Sequence, residues 1–232
     1  NSSENLNTNN SNLNHEVEQE NNVSSASPDT KLLEDREKPD STWSIRIKGD
    51  INIVVPADIN NMMTYILLEQ EDWCETEIDF IREFIESGMN VLDLDTGYGV
   101  YALTMAKEME REGKVIALNA NEYFSLSLQE NGLQDLVAKE LDDSTMDFIH
   151  HGDAELDERL LQQGDPLIMF PAREDYLKFF REQGLDIYEY IPSIKVLAPV
   201  AEDAPLEGNL FACSSNRAIQ LQNMNLIACE PA

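Results

Sequence analysis

Apolar and polar residues alternate through Ile45, Ile47, Ile51, Ile53 and Val55, the period of half-buried strands, and Gly49-Asp50 supplies a hairpin turn between them. The period then lengthens. Cys74, Ile78, Ile81 and Ile85 share one helical stripe, flanked by Phe80 and Phe84. Asp72-Trp73-Cys74-Glu75 reads as a capping box, with Asp72 at the N-cap and Glu75 reaching back, and Gly88 closes the helix. Strands are expected over residues 90–95 and 114–119. Each leads into a helix, over 99–111 and about 122–131, that Gly113 or Gly132 terminates. Residues 146–149 and 166–170 read as short buried strands with a charged helical segment between them. A helix over 175–183 stopped by Gly184, strands over 186–191 and 209–213, and a short helix through Leu221 complete the pattern. Strands alternating with helices imply an α/β fold with parallel βαβ units, right-handed crossovers and helices on both faces. Ligands in such sheets bind at the carboxyl ends of the strands, which directs attention to the loops after Asp93, Asn119 and Ile149.

Composition narrows the field. Residues 1–40 are rich in Asn, Ser and Glu without a sustained apolar period, and read as a disordered tail ahead of a domain over 41–232. The 232 residues are 42% apolar, enough for one sizeable core, and no run of about 18 apolar residues predicts a membrane span. The chain opens at Asn1 rather than Met, and no basic stretch followed by an apolar one reads as a signal peptide. Forty-five acidic against sixteen basic residues give a net charge of −29, a field that repels phosphate backbones and anionic lipid. Nucleic acid and membrane surfaces are therefore not expected partners. Cys74, Cys213 and Cys229 are scattered and odd in number, so neither a disulfide framework nor a thiolate metal site follows, and a reducing, cytoplasmic setting is expected.

The candidate chemistry centres on Asp93-Leu94-Asp95-Thr96-Gly97-Tyr98-Gly99, which runs from a buried strand into a helix. Glycines let backbone approach a ligand, and a helix N-terminus offers free N–H groups to its negative end. A second strand, Val115 to Leu118, follows about 20 residues later, and the residue after such a strand can reach a ribose.

At these residues the chain resembles the FkbM family of S-adenosylmethionine (SAM)-dependent methyltransferases. Val55-Pro56 to Thr64-Tyr65, Leu68 to Trp73 and Glu77-Ile78-Asp79-Phe80 are similar to the segment before that family's first core strand. Gly88-Met89-Asn90-Val91 leading to Tyr98-Gly99-Val100-Tyr101 resembles its cofactor loop, and Asn131-Gly132-Leu133 the end of its next helix. Asp147-Phe148-Ile149, Asp165 to Phe170, Asn209 to Cys213 and Asn216-Arg217-Ala218 resemble its later strands and last helix, so the likeness spans roughly 53–227. The resemblance implies a Rossmann-like class I methyltransferase sheet, SAM as cofactor, and methyl transfer to hydroxyl oxygens of sugars or secondary metabolites. It places Asp93 toward the methionine end of SAM, Asp95, Thr96, Gly97 and Gly99 in the binding turn, and Asn119 beside the ribose.

The chain also departs from the family pattern Asp-x-Gly-Ala-Asn-x-Gly. Asp95 stands at the first glycine. Aspartate tolerates unusual backbone angles, so the turn can survive, but its charge would face the methionine carboxylate, a repulsion of roughly 4 kcal/mol at 4 Å. Asn119 replaces the acidic ribose ligand, a loss on the order of 1–2 kcal/mol. The stretch His150-His151-Gly152-Asp153-Ala154-Glu155 has no Asp-Val-Glu-Gly counterpart, and residues 133–145 are too few for a third strand with its excursion, so the sheet is expected to be shortened there. His150 and His151, adjacent on a strand, point to opposite faces and do not favour a shared metal ion. Asp147 and Asp153 are candidate bases by position alone. Tyr176, Phe179 and Phe180 have the spacing of core, and so does Tyr101, whereas Tyr98 lies in the loop itself. Two functions fit these residues: SAM-dependent O-methyl transfer to a small hydroxylated acceptor, or a catalytically inactive methyltransferase fold retained as an interaction or structural module with a protein partner.

Overall fold

The computed structural model describes residues 41–228 apart from 111, 163, 201–204 and 206, so the expected tail over 1–40 and Cys229 lie outside the described residues. The chain opens with the antiparallel hairpin that the alternation predicts, β1 (Thr42–Ile47) and β2 (Ile51–Pro56). Two helices follow, α1 (Met62–Gln70) and α2 (Glu77–Phe84). No periodicity marked α1, whose apolar residues ring the helix instead of forming a stripe.

The start of α2 corrects the capping-box reading. Thr76 is the N-cap and makes no side-chain cap bond. Asp72 instead pairs with the nearly buried Arg82 at 2.6 Å, and Trp73 Nε1 donates to Glu75 at 2.9 Å. Helix α2 stops at Phe84, short of Gly88, whose φ of +89° serves the turn into the next strand. Arg82 also pairs with Asp79, as does Lys48; burial pushes the Asp79 carboxyl up, but the two cations hold it below its usual range.

The remaining elements are β3 (Asn90–Asp93), α3 (Val100–Glu108), β4 (Lys114–Ala117), α4 (Phe124–Asn131), β5 (Val137–Ala138), β6 (Met146–His150), a 3-10 turn over Glu158–Gln162, β7 (Gly164–Pro171), α5 (Glu174–Glu182), β8 (Asp186–Ile191), β9 (Val196–Pro199), β10 (Asn209–Cys213) and α6 (Ser215–Asn223). They build one eight-stranded sheet in the order β5-β4-β3-β6-β7-β10-β8-β9. The first five strands of that order run parallel. β10, β8 and β9 are joined by antiparallel pairs, which the strand–helix alternation did not reveal, and β9 was not among the expected strands.

Side chains alternate between two cores, as the pleat requires. Val91, Leu167, Met169, Phe211 and Cys213 face α2, α3, α4, α6 and the hairpin. Leu92, Ile168, Phe170, Leu210 and Ala212 face α5 and the 3-10 turn. Burial on both faces explains why these strands read as continuous apolar runs. The hairpin is tied to α4 by polar contacts: Val54 N donates to Ser127 Oγ at 2.8 Å, and Asn131 exchanges bonds with the backbone of Asn52 at 2.7 and 2.9 Å.

The expected shortening takes a different form from a lost strand. β5 survives with two residues beside β4, and residues 139–145 return to β6 without a helix. Seven residues reach about 25 Å at most, more than the roughly 14 Å of three strand spacings, so an extended crossing suffices. It is pinned along the amino-terminal rim by the Lys114–Asp142 ion pair and by Asn90 Nδ2 donating to the Thr145 carbonyl. What is missing is the covering helix. Leu118 and Ala138 are left half-buried and Leu141 exposed.

Phe80 lies where α2 meets the sheet, its ring 5.0 Å from that of Phe211, 5.6 Å from Tyr190 and 5.7 Å from Phe84. Phe80→Ala is expected to cost about 3–5 kcal/mol of unfolding free energy, measured by urea denaturation.

Candidate functional site

The chain crosses between β5 and β6, so β3 and β6 lead away in opposite directions and their carboxyl ends open a crevice. A cleft of about 280 Å³ occupies that position, near the lower end of the roughly 300–1,000 Å³ usual for ligand sites. One wall is the turn after β3, with Asp95, Thr96, Gly97 and Tyr98. The floor is His150 and Gly152 from the end of β6, and the far wall is Pro171 and Asn209. Trp73, Glu75 and Met63 hang over it from the segment around α1 and α2.

The turn is held by backbone pairing with the loop after β4. Thr96 N donates to the Leu118 carbonyl at 3.1 Å, Gly97 N to the Asn119 carbonyl at 3.3 Å, and Asn121 N back to the Gly97 carbonyl at 2.9 Å. Asp95 needs no left-handed backbone; Gly97 and Gly99 take it, with φ of +51° and +92°. Thus the turn survives the loss of its first glycine. Gly99 is the N-cap of α3 and makes no side-chain cap bond, so the amides of Val100 and Tyr101 begin the helix without intrahelical partners, and both residues border the cleft.

The six residues singled out from the sequence separate into three groups. Asp95, Thr96 and Gly97 line the cleft. Asp93 lies beneath it, fully buried, with Oδ1 2.8 Å from His150 Nδ1 and with Oδ2 lacking any partner. Gly99 packs instead against Phe124, where a Cβ would come within 2.2 Å of the ring. Asn119 is exposed, adopts φ of +55°, and donates its amide to the Leu94 carbonyl at 2.8 Å. It stands outside the cleft.

Of the two candidate bases, Asp147 is at the opposite rim, accepting from Asn90 N at 2.9 Å where β3 begins. Asp153 borders the cleft, its Oδ1 3.1 Å from Arg173. Its backbone N donates to Asp95 Oδ2 at 3.1 Å, which partly satisfies the carboxylate that replaced glycine. The histidines diverge as strand alternation requires. His150 sits 4.2 Å from the Tyr101 ring on the cleft side, and His151 packs on Tyr176 and Phe180, where burial pushes its pKa down.

Several cleft residues carried no sequence signal of their role. Trp73 and Glu75 were absorbed into a capping motif, and Tyr101 into the core. In the fold Glu75 accepts from both Trp73 Nε1 and the Tyr101 hydroxyl. Burial first, then the Glu75 carboxylate, raises the Tyr101 pKa well above the tyrosine range. Asn209 was read as the start of a strand; its backbone N bonds Glu77 at 2.9 Å while its side-chain Nδ2 is buried without a partner. Gly152 was the one legible hint, a glycine closing a strand. A Cβ there would lie 2.3 Å from Asp95 Cβ.

No family model matches the chain, and no curated protein does. Solved structures do. A SAM-dependent methyltransferase from Aquifex aeolicus is 17% identical with a TM-score of 0.43, covering 67% of this chain and 96% of its own. A methyltransferase from Geobacter sulfurreducens is 14% identical at a TM-score of 0.46, with 69% and 92% covered. A SAM-dependent O-methyltransferase from Thermotoga maritima is 15% identical at 0.42, with 80% of each chain covered. In strand order and direction the sheet itself is Rossmann-like and of class I type, five parallel strands followed by an antiparallel β10 inserted between β7 and β8. Its shortening falls around the third core strand, β5, and its helices cover both faces of the sheet. Among the described residues, no helix is long and apolar enough to cross a membrane.

Gly99→Ala and Gly152→Ala are each expected to destabilise the fold by about 1–3 kcal/mol, through a forced left-handed backbone and a clash with Phe124 or Asp95. Urea midpoints check the size, and tryptophan fluorescence from Trp73 distinguishes the Gly152 variant, whose clash reaches the cleft.

Proposed function

We propose that this protein is a SAM-dependent methyltransferase of FkbM type, transferring a methyl group to the hydroxyl of a small acceptor such as a sugar or secondary metabolite. The observation that carries this reading is the cleft at the crossover point, where the glycine turn, the start of α3 and a set of carboxylates meet. The amino-acid end of SAM carries both signs of charge. The start of α3 suits its carboxylate, and Glu75 and Asp153 suit the ammonium and sulfonium groups. Trp73, Tyr98 and Tyr101 add ring faces that attract a cation.

A second reading, an inactive fold kept as an interaction or structural module with a protein partner, draws on Asn119. Its Nδ2 is committed to the Leu94 carbonyl and the residue stands outside the cleft, so a ribose in the cleft gains no side-chain ligand from it.

Calorimetric titration separates the two. The enzyme reading predicts dissociation constants in the micromolar range for SAM and for S-adenosylhomocysteine, about −8 kcal/mol of binding. Absence of heat at millimolar ligand sinks it. Asp95→Gly combined with Asn119→Glu is expected to tighten SAM about tenfold or more, because one change removes a carboxylate and the other adds a charged ribose acceptor.

A further inference from the structure

We propose that His150 is the general base of this cleft, fixed in the required tautomer by Asp93, and that it takes the proton of an acceptor hydroxyl. Asp93 and His150 are Cα partners across the β3–β6 pair, and the Asp93 Oδ1 to His150 Nδ1 distance is 2.8 Å. A carboxylate only accepts, so the shared proton belongs to Nδ1 and leaves the Nε2 lone pair bare. Among the described residues Nε2 makes no hydrogen bond and is not one of the sealed polar atoms, while the residue itself borders the cleft. This is the arrangement in which a buried carboxylate orients an imidazole for proton abstraction. Asp93 is the positioning residue.

The surroundings define the acceptor. Tyr101 from α3 packs on the imidazole at 4.2 Å with its hydroxyl turned to Glu75; Asp95 and Asp153 border the same space, and His151 points to the other core. None of the residues lining the cleft is a lysine or arginine. Anionic acceptors are disfavoured, so the hydroxyl compound is uncharged or cationic and bears neither phosphate nor carboxylate. Asn209 borders the far wall of the same space.

The step balances without another reactant. The acceptor O–H gives its proton to His150 Nε2 as its oxygen bonds the methyl carbon of SAM. The carbon–sulfur pair returns to sulfur, leaving a neutral thioether, and the imidazolium, stabilised by Asp93, releases the proton to solvent. The methyl-transfer role rests on the methyltransferase reading; hydroxyl recognition by the dyad stands apart from it.

The full chain labelled with 15N-histidine tests the proposal, with phenol as hydroxyl probe and toluene as its donorless match. His150 is expected to show a protonated Nδ1 and bare Nε2, with Nε2 shifting on addition of phenol and not of toluene. Asp93→Asn is expected to spread the proton over both nitrogens. Should that variant fail to fold, His150→Gln serves alone, and its phenol affinity is expected to fall on the order of three- to tenfold toward that for toluene. A proton resident on Nε2 in the unaltered chain overturns the proposal. So does a His150 unmoved by phenol that shifts the Trp73 indole. A chain that binds SAM with His150 silent removes the base and leaves the methyltransferase reading; one that ignores SAM while His150 senses phenol removes that reading and leaves the hydroxyl site.

Discussion

The parallel pairing of β3 with β6 is the constraint on which the site depends. Leu94 N bonds the His150 carbonyl at 2.9 Å, and that register sets Asp93 opposite His150, although 57 positions separate them in the chain. A buried carboxylate is costly unless a partner holds it, and the imidazole is the partner here. The same pairing fixes where the two following loops diverge. The cleft is the space between them.

Around that point the molecule divides its labour by strand end. At the amino-terminal rim, Lys114–Asp142, Asn90–Asp147 and the bond to Thr145 secure a crossing that has no helix. At the carboxyl rim, the polar groups are left with spare capacity: Asp93 Oδ2 and Asn209 Nδ2 have no protein partner, and α3 opens without a side-chain cap. Structural polar atoms are ordinarily satisfied, so these two orphans beside the cleft are departures from the usual pattern, as are Arg82 Nε, His151 Nε2 and Arg217 Nε elsewhere among the described residues. The large negative charge of the chain reaches into this cleft through Glu75, Asp95 and Asp153.

The departures from the family pattern acquire physical meaning in the fold. Asp95 is accommodated because Gly152 brings the neighbouring loop close enough for the Asp153 amide to bond its carboxylate. Asn119 closes the turn by donating its amide to the Leu94 carbonyl, which holds the two loops together. Gly99 is required by the Phe124 ring, so its presence reflects helix packing more than ligand approach. A motif position thus serves packing, closure or binding according to what lies opposite it.

Periodicity alone determined much of this protein. The hairpin at Ile45 to Val55, the strands through Asp93, Ala117 and Phe170, and the α3, α4, α5 and α6 helices follow from local alternation and glycine stops, because burial on one or both faces imposes a repeat on neighbouring residues. The place of the glycine turn at a sheet end was legible for the same reason. Other features were decided by tertiary contact. Asp72 chose Arg82 over a helix cap, Glu75 joined Trp73 to Tyr101, β9 and β10 entered the sheet antiparallel, and His150 found Asp93. Each of these depends on a partner distant in sequence, and a hydrogen bond or ion pair leaves no repeat along the chain to announce it.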